Sequence, residues 1–136
     1  MFPKLVYLCG PIQGCSDYEA WDWREKVKGW GKRNSALKFL DPMRRDYRGK
    51  ENDLCEEIIK MDKADIAAAS IVLVNYPSDK QAFIGSSMEI LYAFERGKIV
   101  VVVAPKDVPI SPWMKYHSHF ILDDFESARK LISSLH

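Results

Sequence analysis

Apolar residues in this chain gather into short clusters of strand length, separated by stretches with helical spacing. Leu5-Val6-Tyr7-Leu8 is the first cluster, and Gly10-Pro11 closes it, as expected of a buried strand that ends in a turn. A helix is expected from near Tyr18. Ser16 or Asp17 can cap it, Trp23, Val27 and Trp30 follow its spacing, and Gly31 lies near its end. Residues 37–40 form a second strand, stopped by Asp41-Pro42, and a polar, basic loop follows over residues 43–50. Asn52 or Asp53 starts a second helix with a stripe of Leu54, Ile58, Met61, Ala64 and Ile66. Residues 70–74 read as a third strand, buried on both faces. After a loop at Asn75-Tyr76-Pro77-Ser78, a third helix runs from Gly85 or Ser86 to Gly97. Residues 99–103 are a β-branched fourth strand, residues 119–122 a short fifth, and residues 125–135 a closing helix.

This alternation predicts an α/β fold in three layers: a doubly wound (flavodoxin-like or Rossmann-like) domain over residues 1–136. Its sheet has about five strands and is mostly parallel, because parallel neighbours require crossover helices. In such sheets ligands collect at the C-terminal strand edges. The loops that matter are then those after Leu8, Leu40, Val74 and Val103.

Charge and composition remove several classes of function. Twenty basic residues against 19 acidic ones leave a formal charge of +1, so there is no electrostatic case for a nucleic-acid partner. No apolar run nears bilayer length, so no membrane partner is expected, and Gly10-Pro11 interrupts the apolar start too early for a signal peptide. The three cysteines, Cys9, Cys15 and Cys55, include no Cys-x-x-Cys pair. An odd number of thiols implies the reduced state and a cytoplasmic location, and Cys9 and Cys15 read as buried, inert thiols. His117 and His119 would share one face of a strand but lack the further ligands a metal needs. Neither a metal nor a cofactor is expected.

The loops at the sheet edge carry the unusual chemistry. Tyr7 precedes Cys9-Gly10-Pro11-Ile12; Asp41-Pro42 precedes Tyr47-Arg48-Gly49; Asp62 lies in the second helix; and Gly85-x-x-Met88-Glu89 opens the third, followed by Tyr92-Ala93 and Gly97-Lys98. In order and spacing, from about residue 4 to residue 122, these motifs resemble the nucleoside 2-deoxyribosyltransferase family and the related nucleoside-monophosphate N-glycosidases.

The resemblance implies an enzyme that cleaves the N-glycosidic bond of a nucleoside or nucleotide. Glu89 would attack the anomeric carbon, Tyr7 would hydrogen-bond and orient it, and Asp62 would protonate the departing base. The sugar would then pass to another nucleobase in a transferase, or to water in a hydrolase, with retention. Substrate contacts fall to Gly10, Ile12, Asp41, Arg45, Arg48, Gly85, Ser86, Ser87, Ser111 and Trp113. Ser111 aligns with a residue contributed by a neighbouring subunit, which implies a homo-oligomer with a shared site. From position alone, Glu89 is expected in the first turn of its helix, where free N–H groups and the macrodipole keep a carboxylate ionised.

Two positions depart from the family. Six residues before Glu89, where the transferases carry aspartate and the monophosphate hydrolases serine, stands Phe83; after Cys9-Gly10, where the hydrolases tend to have serine, stands Pro11. Ser86, Ser87 and the basic loop instead offer groups that an anion could use. The expectation therefore places transfer first and monophosphate hydrolysis second. A non-catalytic nucleotide-binding module on the same scaffold is the third alternative.

Overall fold

Alternation along the strands and handed connections between them account for this fold. The computed structural model describes residues 3–78 and 80–135. Strands β1 (Lys4–Cys9), β2 (Leu37–Leu40), β3 (Ile71–Asn75), β4 (Ile99–Val103) and β5 (Phe120–Leu122) form one sheet in the order β2-β1-β3-β4-β5. Every pairing is parallel. The mostly parallel sheet expected from the sequence is thus wholly parallel, in the flavodoxin-like order.

On β1, Val6 and Leu8 point to one face, whereas Tyr7 and Cys9 point to the other. β3 and β4 divide the same way, so two cores sandwich the sheet, as a period of two requires. One core packs beneath α1 (Trp23–Lys28) and α6 (Phe125–Ser134). The other packs beneath α3 (Cys55–Ala68), α4 (Ile84–Glu95) and Met114 of a short α5 (Pro112–Tyr116). Parallel crossovers are right-handed, so a leftward step from β1 to β2 and rightward steps from β2 to β3 and β4 put their helices on opposite faces. The chain changes direction between β1 and β3, and there a crevice opens beyond the carboxyl ends of both strands.

Several boundaries differ from the sequence reading. The first helix opens with a π turn (Tyr18–Asp22), breaks at Gly29 and continues as one turn, α2 (Trp30–Arg33), beyond Gly31. Ser16 and Glu19 cap its entry reciprocally: the Glu19 N–H donates to Ser16 Oγ (3.2 Å), and the Ser16 N–H donates to Glu19 Oε1 (2.9 Å). α3 starts at Cys55, after a turn holding Asn52 and Asp53. Residues 112–116 read as loop but form α5, because Ser111 Oγ caps the Met114 N–H (3.2 Å) and Pro112 is preset for the first helical position. β5 begins at Phe120, so His117 and His119 do not share a strand. Val100 N–H donates to His119 Nδ1 (2.9 Å), and His117 Nδ1 lies 2.7 Å from the Trp113 carbonyl. All three thiols are free, Cys9 and Cys15 buried and Cys55 exposed. No helix among the described residues is long and apolar enough to cross a membrane.

Candidate active site

β1 presents Tyr7 and Cys9 to the α4 side of the sheet, and α4 presents Ser86, Ile90 and Ala93 to β1. Glu89 stands between these positions on the helix, one turn from Ser86 and one from Ala93, so its carboxylate meets the end of β1. Tyr7 Oη donates to Glu89 Oε2 at 2.7 Å. The Cys9 thiol, a weak donor, lies 3.6 Å from Glu89 Oε1 and 3.7 Å from the Ser86 carbonyl. Both Glu89 oxygens are held, one firmly and one loosely.

Asp62 arrives from α3, whose turn beside α4 faces the same crevice. Its carboxyl lines the cleft beside that of Glu89, and each acts on the charge of the other. Arg45, from the loop after β2, lies 3.3 Å from Asp62 Oδ1 and 2.7 Å from Asp65 Oδ2. Arg44 takes the other Asp65 oxygen at 2.8 Å.

The electrostatics overturn the expected charge of Glu89. It is the sixth residue of α4, beyond the first turn, so free N–H groups do not favour its anion. Burial and the neighbouring Asp62 push it up to about 8, against opposing hydrogen bonds from Tyr7 and Cys9. Burial also raises Asp62, with Arg45 opposing. The Tyr7 phenol and Cys9 thiol are raised well above their usual values, by burial first and Glu89 second. Both therefore stay protonated and remain donors. Burial and mutual repulsion together make joint ionisation of the two carboxyls unfavourable.

Around this pair lies a cleft of about 620 Å³, running from Gly10 along the groove between α3 and α4 to Glu95. Of the substrate contacts implied by the sequence, Gly10, Ile12, Arg45, Gly85 and Ser86 line it. Five others do not. Asp41 is only 3% exposed. It caps Met43 N–H (2.9 Å) and pairs with Lys28 (2.8 Å) and Arg24 (3.6 Å), so it is a framework residue. Arg48 is spent on Asp17 and Asp46, each at 2.7 Å, and on the Cys15 carbonyl at 3.0 Å. Ser87 Oγ turns back to the Phe83 carbonyl (2.9 Å). Ser111 is the cap of α5, and Trp113 stacks on His117 at the surface, 76% exposed.

The sequence reading missed Cys9, Arg24 and much of the cleft wall. Alternation along β1 could have placed Cys9, which must share the face of Tyr7. Arg24 is fully buried and donates to the Gly10 carbonyl at 3.2 Å and the Ala20 carbonyl at 2.7 Å. It ties the loop after β1 to Asp41 behind the cleft. Nothing in its sequence neighbourhood marks it. The wall also includes Tyr47, Lys63, Met88 and Tyr92. Phe83 packs against Tyr76 with the rings tilted by 56° and their centroids 5.5 Å apart.

No protein-family model matches this chain, and no curated protein is significantly similar to it in sequence. Solved structures do match. A 2-deoxyribosyltransferase from Bacillus psychrosaccharolyticus is 16% identical, with a TM-score of 0.74 over 92% of this chain and 90% of that one. The CMP N-glycosidase BcmB of Clostridium botulinum is 14% identical, with a TM-score of 0.61 over 96% and 99%. A conserved protein from Enterococcus faecalis V583 is 13% identical, with a TM-score of 0.73 over 96% and 98%. From end to end, this chain has the fold of a 2-deoxyribosyltransferase and of an N-glycosidase.

Proposed function

We propose that this protein cleaves the N-glycosidic bond of a 2-deoxynucleoside and transfers the sugar to another nucleobase through a covalent glycosyl ester of Glu89. One observation carries this reading: Glu89, bonded to Tyr7 at 2.7 Å, lies with Asp62 in a cleft at the reversal point of the sheet. In the first step a Glu89 oxygen bonds C1′ as the bond from C1′ to the base nitrogen breaks. Its electron pair stays on the base, which takes a proton from Asp62. In the second step an incoming base attacks C1′, returns its proton to Asp62 and frees Glu89. The resting pair holds the one proton this cycle needs. Tyr7 keeps its bond to Oε2 throughout and stabilises the carboxylate each time it departs.

The charge of the cleft favours a neutral nucleoside. Its wall carries the carboxyls of Glu51, Asp62, Glu89 and Glu95 against only Arg45 and Lys63, and Arg45 is already paired. A second reading, hydrolysis of a nucleoside 5′-monophosphate, draws support from the start of α4, where Gly85 and Ser86 bring main-chain N–H groups to the cleft. The domain is read as residues 1–136, with a second copy covering the exposed apolar side chains Ile84, Met88 and Leu91 at the cleft rim. Ser111 and Trp113, outside the cleft of their own chain, would then serve a neighbouring one.

The test incubates purified protein with one deoxynucleoside and a second free base, then repeats this with the 5′-monophosphate. Transfer yields the exchanged nucleoside, and Glu89→Ala abolishes it. Release of free base alone, with preference for the monophosphate, supports the second reading. Glu89 left unmodified by a 2-fluoro sugar analogue, as read by mass spectrometry, refutes both and leaves a non-catalytic binding module.

A further inference from the structure

Asp62 and Asp65 stand three residues apart on α3 and face the same basic loop. Arg45 could serve either. Its Nη2 is 2.7 Å from Asp65 but 3.3 Å from Asp62. Asp65 also holds Arg44 at 2.8 Å, so each of its oxygens carries a guanidinium contact, and Asp62 has one long contact. We propose that Asp65 is a positioning residue that draws Arg45 toward itself and so leaves Asp62 free to carry a proton. This rests on the reading of Asp62 as the acid.

The physical reason lies in what Arg45 would otherwise do. A guanidinium seated in fork geometry on a carboxylate fixes it as an anion. A general acid fixed as an anion cannot protonate a leaving base. The Nε of Arg45 is buried without a hydrogen-bond partner, so the side chain has a donor to spare if its seat on Asp65 is lost. Asp65 works in a second way too, because its own charge opposes charge on Asp62. Its surroundings differ accordingly: Asp65 is held below its usual value by Arg44 and Arg45 against a burial penalty, whereas burial raises Asp62.

The other groups facing Asp62 are Glu89 from α4, Tyr7 from β1, and Tyr47 from the loop. Of these, Glu89 competes directly for the proton. Whatever increases the hold of Arg45 on Asp62 moves that proton onto Glu89, where it blocks attack. Loss of Asp65 therefore disables the nucleophile and the acid together.

The experiment uses the full chain as wild type, Asp65→Asn, Asp65→Glu and Arg44→Gln. It follows base release against pH and titrates Asp62 by carbon-detected NMR. In Asp65→Asn the Asp62 midpoint and both limbs of the pH profile should move down by about one unit. Turnover at the optimum should fall while KM holds, and Asp65→Glu should restore both. Arg44→Gln, which leaves the pair of Arg45 and Asp65 in place, should behave as wild type. The proposal is overturned if the Asp62 midpoint is unmoved in Asp65→Asn, or if Arg44→Gln moves it equally. A wild-type protein that releases no base from any nucleoside or nucleotide sinks the functional reading instead, and the Asp62 midpoint still decides the role of Asp65.

Discussion

Replacing Glu89 by glutamine should make the protein more stable, and increasingly so as pH rises. Glutamine matches the shape of the protonated side chain, can accept from Tyr7 and donate to Asp62, and cannot ionise. Wild-type Glu89 has a folded value of about 8 against an ordinary 4.5. Because the folded value is the higher one, its contribution is intact below about 4.5 and is lost as pH rises through about 8. Each unit in that window costs about 1.4 kcal/mol. Between about pH 5 and pH 8 the deficit of wild type relative to Glu89→Gln should grow by roughly a few kcal/mol. Urea unfolding of both proteins at the two pH values measures it directly. A change below about 1 kcal/mol would mean that the pair of Glu89 and Asp62 holds no proton across this range, and the argument for a shared proton would fail. The same variant should lose glycosyl transfer altogether, so stability and activity move in opposite directions.

Three further outcomes follow from the same geometry. Tyr7→Phe removes the 2.7 Å donor to Glu89, so turnover should fall between about tenfold and a hundredfold. The Glu89 midpoint, read by NMR titration, should rise further. Asp62→Asn should slow cleavage of an ordinary deoxynucleoside but spare 7-methyl-2′-deoxyguanosine, whose base leaves without a proton; equal slowing of both would remove Asp62 from the acid role. Arg24→Met leaves Asp41 without its buried guanidinium and the Gly10 carbonyl without its donor. It should cost about 3 kcal/mol in urea unfolding, and unchanged stability would contradict the framework role of Arg24.

The layered fold was legible because strand residues with period two and helices with longer spacing record burial residue by residue. The run of valines at β4 and the cluster at β1 can bury both faces only at the centre of a parallel sheet. Tyr7, Asp62 and Glu89 were legible as types and in order. Asp41 and Arg48, expected as substrate contacts, lie outside the cleft lining, and the sequence could not show this because a charged side chain beside a site looks the same whether it faces the cleft or a counter-charge. Here Lys28 and Arg24 claim the one, and Asp17 and Asp46 the other. The helix at residues 112–116 was missed because a single turn carries no periodicity, only a cap and a proline.

Local sequence thus determined the alternation of strands and helices and which strand residues face which core, and it picked out the side chains whose chemistry suits a glycosidic bond. Only the tertiary structure decided their charges. The raised Glu89 and Asp62 and the division of Arg45 between two aspartates arise from burial and from distances between residues far apart in the chain. Coulombic and desolvation energies depend on separation in space and access to water, and neither is written in residue order.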